Sequence, residues 1–160
     1  MSILPIRSPR IRGPAPPALD ASRPDIIDES IDLFRANSLF RNFEIKGPAD
    51  RLLIYLILFI SDCLTRIASS KIPWTQNEAM KQLSTYAVDS FALPGDANFP
   101  LNSLYAPPQA RADADALRSY LTQLRQETVA RLVEKVFVDG TPSKWWLAFT
   151  KRRFMGKSLT

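Results

Sequence analysis

The 160 residues allow one ordinary domain with a single sizeable core, and 46% apolar against 23% charged residues excludes wholesale disorder. A net charge of +5 argues against basic partners, and 13 prolines against 5 glycines favour helices and stiff connections over a hairpin-rich β protein. The absence of histidine excludes the Ser-His-Asp and Cys-His relays and nearly every zinc or non-haem iron site.

Residues 1–19 hold Pro5, Pro9, Pro14, Pro16 and Pro17, too many for a helix. They predict an extended, partly polyproline-like arm over residues 1–21, ordered where something holds it. It lacks the apolar stretch of a signal peptide. Ser22 and Pro24 then open a helix, with Asp25, Asp28 and Glu29 at the positive end of its dipole. Ile27, Ile31 and Phe34 share one face, and Ile26, Leu33 and Phe40 form an adjoining stripe. Leu39 to Ile45 either continues this helix or breaks from it.

Gly47-Pro48 ends that element and starts the next. Leu52 to Ile60 is nine apolar residues without a polar break, too short a run for a membrane span of ~20. It predicts a helix buried on every side in the middle of the core. Cys63 follows as a packed thiol; as the lone cysteine it excludes an intramolecular disulfide and suits a reducing compartment. Thr75-Gln76-Asn77-Glu78 fits a capping box, opening an amphipathic helix with Ala79, Leu83, Tyr86 and Ala87 on one face, to about Ser90.

Residues 91–110 combine Pro94, Gly95, Pro100, Pro107 and Pro108 with Phe91, Leu93, Phe99, Leu101, Leu104 and Tyr105. So apolar a loop is expected to pack across the helices, with pocket-lining as the sharper alternative. From Arg111 to about Val138 runs the longest helical pattern, with Leu117, Leu121, Leu124, Thr128, Leu132 and Val136 in register and Asp139-Gly140 as the stop. Thr141-Pro142-Ser143 restarts a last short helix. The fold class is therefore all-α, a single compact domain of about five helices over 22–160, with an extended Pro-rich N-terminal segment.

The cations are unevenly placed. Lys144, Lys151, Arg152, Arg153 and Lys157 follow Gly140 without an acid, and Arg7, Arg10 and Arg12 precede Leu19 without one. Removing these eight from the 21 leaves 13 cations against 16 acids, so two basic ends flank a mildly acidic body. At the C-terminus the cations alternate with Trp145, Trp146, Phe149 and Phe154, the mixture of a docking surface for an acidic partner. At the N-terminus solvated charge explains them as well.

Catalysis finds little support. Asp25, Asp28, Glu29 and Asp32, like Asp113 and Asp115, fall in opening turns of helices, where the dipole accounts for them. A metal would need a hard-cation carboxylate site, and the calcium-loop spacing is absent. No catalytic, cofactor-binding or metal-ligating residue is expected. What remains is binding, either as a protein-interaction scaffold or as a basic nucleic-acid-binding helical module. An orphan hydrolase is the third reading.

Several segments carry a resemblance. Arg12-Gly13-Pro14-Ala15-Pro16, Asp25-Ile26-Ile27-Asp28-Glu29, Phe34-Arg35-Ala36-Asn37, Phe43-Glu44-Ile45-Lys46 and Ala49-Asp50-Arg51 resemble, in order, subunit 3 of the actin-related protein 2/3 complex. So do Phe99-Pro100-Leu101-Asn102, Leu124-Arg125-Gln126-Glu127, Pro142-Ser143-Lys144-Trp145-Trp146 and Arg153-Phe154-Met155-Gly156-Lys157-Ser158-Leu159. The resemblance implies an all-helical, non-enzymatic, cytoplasmic and cytoskeletal subunit of an assembly that nucleates branched actin filaments. Its implied partners are actin-related proteins 3 and 2 and the other subunits, with the actin filament contacted indirectly, no nucleic acid and no membrane span. ATP belongs to the two actin-related subunits, so no cofactor is implied here. Family members begin with a longer stretch before the Leu-Pro matching Leu4-Pro5, and the sequence is compatible with either a lost arm or a late start. Actin-like proteins are acidic, so Lys144, Lys151, Arg152 and Arg153 are the interface candidates at the rim, with Trp146 or Phe154 as apolar anchor. One of Trp145 and Trp146 should face inward, since adjacent helical residues point ~100° apart.

Overall fold

The structure, a computed structural model, describes residues 1–7, 11–37, 45–151 and 157–159. Five α-helices follow one another: α1 (Ile26–Asn37), α2 (Pro48–Ser69), α3 (Gln76–Val88), α4 (Arg111–Val136) and α5 (Lys144–Leu147), the last running into a 3-10 turn over Ala148–Lys151. Between α4 and α5 lies a hairpin of β1 (Phe137–Val138) and β2 (Thr141–Pro142), pairing Phe137 with Pro142 and Val138 with Thr141. The fold is thus mostly helical, with a small two-stranded hairpin beside the helices expected from the sequence. Asp139 and Gly140 both take positive φ (52° and 81°), the backbone of a two-residue primed turn whose twist matches paired strands. The helix ends at Val136, capped by extended Phe137 and short of the expected Val138, so Asp-Gly reverses the chain instead of stopping the helix.

α2 is the axis of the core. Leu52 through Leu64 are buried without interruption, against α1 on one side and α4 on another. The nine-residue apolar run is extended by its flanks into a 22-residue helix, long and apolar enough by length and composition to cross a membrane. Here protein surrounds it: 78% of its most apolar stretch is buried inside the domain. Gly47 takes the N-cap and Pro48 the first turn, as the sequence predicts.

α1 starts later than the sequence suggests. Asp25, not Ser22, caps it: Asp25 Oδ1 accepts from the N–H groups of Ile27 (3.1 Å) and Asp28 (3.0 Å). Asp28 Oδ2 accepts in return from the Asp25 N–H (3.2 Å), a reciprocal cap with Asp in the place of the usual Glu. Ile27, Ile31 and Phe34 are buried, whereas Leu33 on the other stripe is exposed. Phe40 and the stretch from Leu39 to Glu44 lie outside the described residues.

Thr75 caps α3 by accepting from Glu78 N–H (3.1 Å), but the Glu78 carboxylate turns to Gln82 instead of completing the box. α3 packs on α4, whose expected stripe is half-buried at Leu117 and buried at Leu121, Leu124, Thr128, Leu132 and Val136. The long loop does cross the helices. Leu93, Phe99, Leu101 and Tyr105 are core residues, Phe99 and Tyr105 touch ring to ring, and Tyr105 Oη donates to the Arg51 carbonyl at 2.6 Å.

Candidate interface at the basic, aromatic end

Ser143 caps α5 by accepting from the Trp145 N–H at 3.3 Å. With the helix phase so fixed, the two tryptophans diverge. Trp146 is half-buried and stacks on Phe34 of α1 (ring centroids 6.4 Å apart, 17° between planes), while Phe149 meets the same ring edge-on at 6.2 Å. Trp145 is 63% exposed, beside exposed Lys144, and exposed Val138 lies on the preceding hairpin. Trp146, which the sequence offers with Phe154 as an apolar anchor, is thus half-buried against α1. It braces the last helix against α1, and Trp145 is the ring turned outward.

Past this end the chain returns to the core. Asp62, in the middle of α2 and 8% exposed, accepts from Ser158 Oγ (2.8 Å), from the Leu159 N–H (3.1 Å) and from Tyr86 Oη (3.3 Å). Burial raises the pKa of this carboxyl, and the Ser158, Leu159 and Tyr86 donors oppose that rise. Cys63 beside it is fully buried, and burial pushes its thiol well above the range in which a thiolate forms. It is a packed thiol, as the sequence suggests.

The basic N-terminal arm is held by a polar stripe on α4 spaced three, four, four and four residues apart: Tyr120, Gln123, Glu127, Arg131 and Lys135. Tyr120 Oη accepts from the Leu4 N–H (2.7 Å) and donates to the Leu4 carbonyl (2.8 Å); burial pushes its pKa up to about 12. Gln123 donates to the Ile11 carbonyl (3.0 Å) and accepts from the Ala15 N–H (2.8 Å). Glu127 accepts from the Ile11 N–H at 3.0 Å. Arg131 Nη1 donates to Asp25 (2.7 Å) and Asp28 (3.3 Å), and Lys135 reaches Asp32 at 3.3 Å. Ile6, wholly buried, exchanges backbone hydrogen bonds with Pro16 and Ala18, so the arm closes on itself as it crosses the stripe.

Arg7 donates through Nε and Nη2 to Asp28. Burial resists ionisation of Asp28, yet the Arg7 hydrogen bond, the Asp25 N–H and the Arg131 charge outweigh it and hold the carboxyl down at about 2. The opening acids of α1 thus serve more than the helix dipole: they bind Arg7 and Arg131 and join three segments of chain. Arg7 accordingly is no free cation of the basic end.

A second guanidinium is buried deeper. Arg125 of α4 is 1% exposed and holds the end of α3, donating to the carbonyls of Ala87 and Tyr86 (3.0 Å each) and to Tyr55 Oη (3.2 Å). Phe91, Phe59 and Tyr86 present their rings to it at 4.4, 4.6 and 5.1 Å. The carbonyls of a helix end and the negative faces of three rings do the work a carboxylate would otherwise do.

Each of these polar groups has a structural partner. Comparison with known proteins gives the context. Residues 1–159 match the family model P21-Arc, described as the ARP2/3 complex ARPC3 (21 kDa) subunit. The chain belongs to that family. It is 53% identical to actin-related protein 2/3 complex subunit 3 of Schizosaccharomyces pombe, with 99% of the chain covering 89% of the relative. The Saccharomyces cerevisiae protein of the same name is also 53% identical, at 99% and 88% coverage, and that of Dictyostelium discoideum 48%, at 98% and 88%. The family is one of complex subunits, not of enzymes.

Of the interface candidates named for this ARPC3-family chain, the structure brings Lys144 to the surface beside Trp145 and turns Trp146 inward. Arg152, Arg153 and Phe154 lie outside the described residues, as does the side chain of Lys151. Sequence reasoning missed the α4 stripe, Arg125 and the Asp62 socket. The stripe had a readable signal, since Tyr120, Gln123, Glu127 and Arg131 are polar residues at helical spacing on a helix that also carries a complete apolar face. Nothing local marked Asp62 or Arg125, because their partners lie up to 97 residues away.

Proposed function

We propose that the chain is a non-catalytic structural subunit of an actin-related protein 2/3 complex, and that it supports nucleation of branched filaments by holding the actin-related subunits in a filament-like arrangement. It works in the cytoplasm on the actin cytoskeleton. The observation that carries this reading is the near full-length identity to relatives named as subunit 3 of that complex. The architecture supports it. Ties from half-buried Arg7 and from buried Arg125 and Arg131 fix the arm, α1, α3 and α4 relative to one another, as a spacer between neighbours requires. The outward cationic end, with Lys144 and Trp145 at the surface and Lys151, Arg152 and Arg153 following in sequence, suits an acidic actin-like neighbour.

Affinity purification of the tagged chain from its own cells tests the proposal. Actin-related subunits should co-elute at fixed ratio and persist through nuclease and moderate salt. Reversing Lys144, Lys151, Arg152 and Arg153 together should lower that yield without changing the circular dichroism of the chain. Loss of every partner after nuclease would instead establish the nucleic-acid-binding reading. ATP turnover by the isolated chain would establish the hydrolase.

A further inference from the structure

A carboxylate in the middle of a core helix is costly unless its hydrogen bonds are made. At Asp62 two of the three described donors come from the chain's last residues: Ser158 Oγ to Oδ1 at 2.8 Å and Leu159 N–H to Oδ2 at 3.1 Å. Leu159 packs against the core beside this socket, Ser158 is half-buried at its mouth, and Lys157 is exposed. The end of the chain is thus latched to α2 by a serine hydroxyl and one backbone amide, at the boundary with solvent.

We propose that Ser158 is a phosphorylation site whose modification opens this latch. The reaction is ordinary phosphoryl transfer from ATP by a protein serine kinase. A bond forms between Ser158 Oγ and the γ-phosphorus as the bond to the β-phosphate oxygen breaks, ADP leaves, and the hydroxyl proton passes to the kinase's base. Lys151, Arg152, Arg153 and Lys157 precede the serine without an acid among them, which suits a kinase that selects basic sequences. Phosphorylation deletes the donor to Asp62 Oδ1 and sets nearly two negative charges against a desolvated carboxylate. The modified residue therefore leaves the socket and takes the Leu159 amide with it. Other hydroxyls at this end differ in kind: Thr150 donates to the Leu147 carbonyl, where a phosphate would face no buried carboxylate.

The full chain, purified with the partners that co-elute with it, is the material for the test. It is incubated with ATP and a basic-directed serine kinase, and the phosphate is placed by fragmentation mass spectrometry. Amide exchange at the C-terminal peptide is then compared among wild type, Ser158→Glu, Ser158→Ala and Asp62→Asn. Phosphate is expected at Ser158, with Leu159 exchange about tenfold faster in both the phosphorylated chain and Ser158→Glu. Ser158→Ala, which keeps the Leu159 amide bond, should rise only a few-fold. In an Asp62→Asn background, where no charge opposes the phosphate, Ser158→Glu should add less than about twofold. Absence of phosphate at Ser158 would overturn the proposal, and so would equal exchange in Ser158→Glu and Ser158→Ala.

Discussion

Replacing Arg125 should destabilise the chain more than any surface change, in an order that depends on shape as much as on charge. The side chain is 1% exposed and makes three hydrogen bonds within a cage of three rings. Alanine leaves the Ala87 and Tyr86 carbonyls short of donors, at about 1–3 kcal/mol for each buried group left unmade. Losing the packed stem against Phe59 and Phe91 adds about 2–3 kcal/mol. Relief of the guanidinium's own desolvation returns several kcal/mol, leaving a net loss of about 3–5 kcal/mol. Lysine keeps the charge but cannot serve two carbonyls and a phenol in one plane, so about 2–3 kcal/mol should go. Methionine fills the cage and orphans the Ala87 carbonyl, while Tyr86 keeps the Asp89 N–H at 3.3 Å, at about 2 kcal/mol. Equilibrium urea unfolding followed by circular dichroism resolves these differences, since a 4 kcal/mol loss moves the midpoint by about 2 M at an ordinary slope. An Arg125→Lys chain as stable as wild type, or an Arg125→Ala chain within about 1 kcal/mol of it, would refute the reasoning.

Acid should loosen the arm. Asp28 is held near 2 in the fold against 3.8 unfolded, so its contribution is complete above pH 4 and is lost as pH falls through 2. It amounts to about 1–2 kcal/mol after allowance for solvent contact, and Asp28→Asn should flatten the pH dependence of unfolding over that window. Gly13→Ala should free the arm, because an added Cβ would lie 2.6 Å from Cδ and 2.8 Å from Cβ of Gln123, a side chain pinned at both ends of its amide. A loss of about 1–3 kcal/mol is expected, with Ala15 amide exchange rising and little further effect from adding Gln123→Ala. Trp145→Ala should shift stability by less than about 0.5 kcal/mol while lowering recovery of partners. Trp146→Ala, which removes the stack on Phe34, should cost about 2–3 kcal/mol in thermal unfolding.

The parts of the fold that are legible in the sequence are those whose cause is local. Gly47-Pro48, Thr75-Gln76-Asn77-Glu78 and the apolar period of α4 each state a helix within a few residues, and the structure places helices there. The hairpin is equally local. Asp139-Gly140 reads first as a helix stop, though two positive-φ residues between short extended pairs also make a primed turn. The start of α1 is ambiguous in sequence because Ser22 and Asp25 are both good caps, and the choice is made by Arg131 and Arg7, which need the Asp25 and Asp28 carboxylates facing them. For the interface, the basic and aromatic composition of the end is visible. Which tryptophan faces outward depends on Phe34, 112 residues earlier in the chain, and no periodicity within Lys144 to Leu147 could report it.

The buried ion pairs bear on function through the field they cancel. Arg7 and Arg131 satisfy Asp25 and Asp28, so two of the chain's guanidiniums contribute little to the potential outside. The same pairing neutralises acids of the middle region. What the surface presents is therefore less the mean of the composition than the cations left unburied, among them Lys144 beside the exposed indole of Trp145. A charged rim steers approach within a Debye length of about 8–10 Å, and a ring buried on contact slows departure. Internal ion pairing thus lets one chain carry a charge-compensated interior and a C-terminal sequence rich in cations, although both are built from the same residue types.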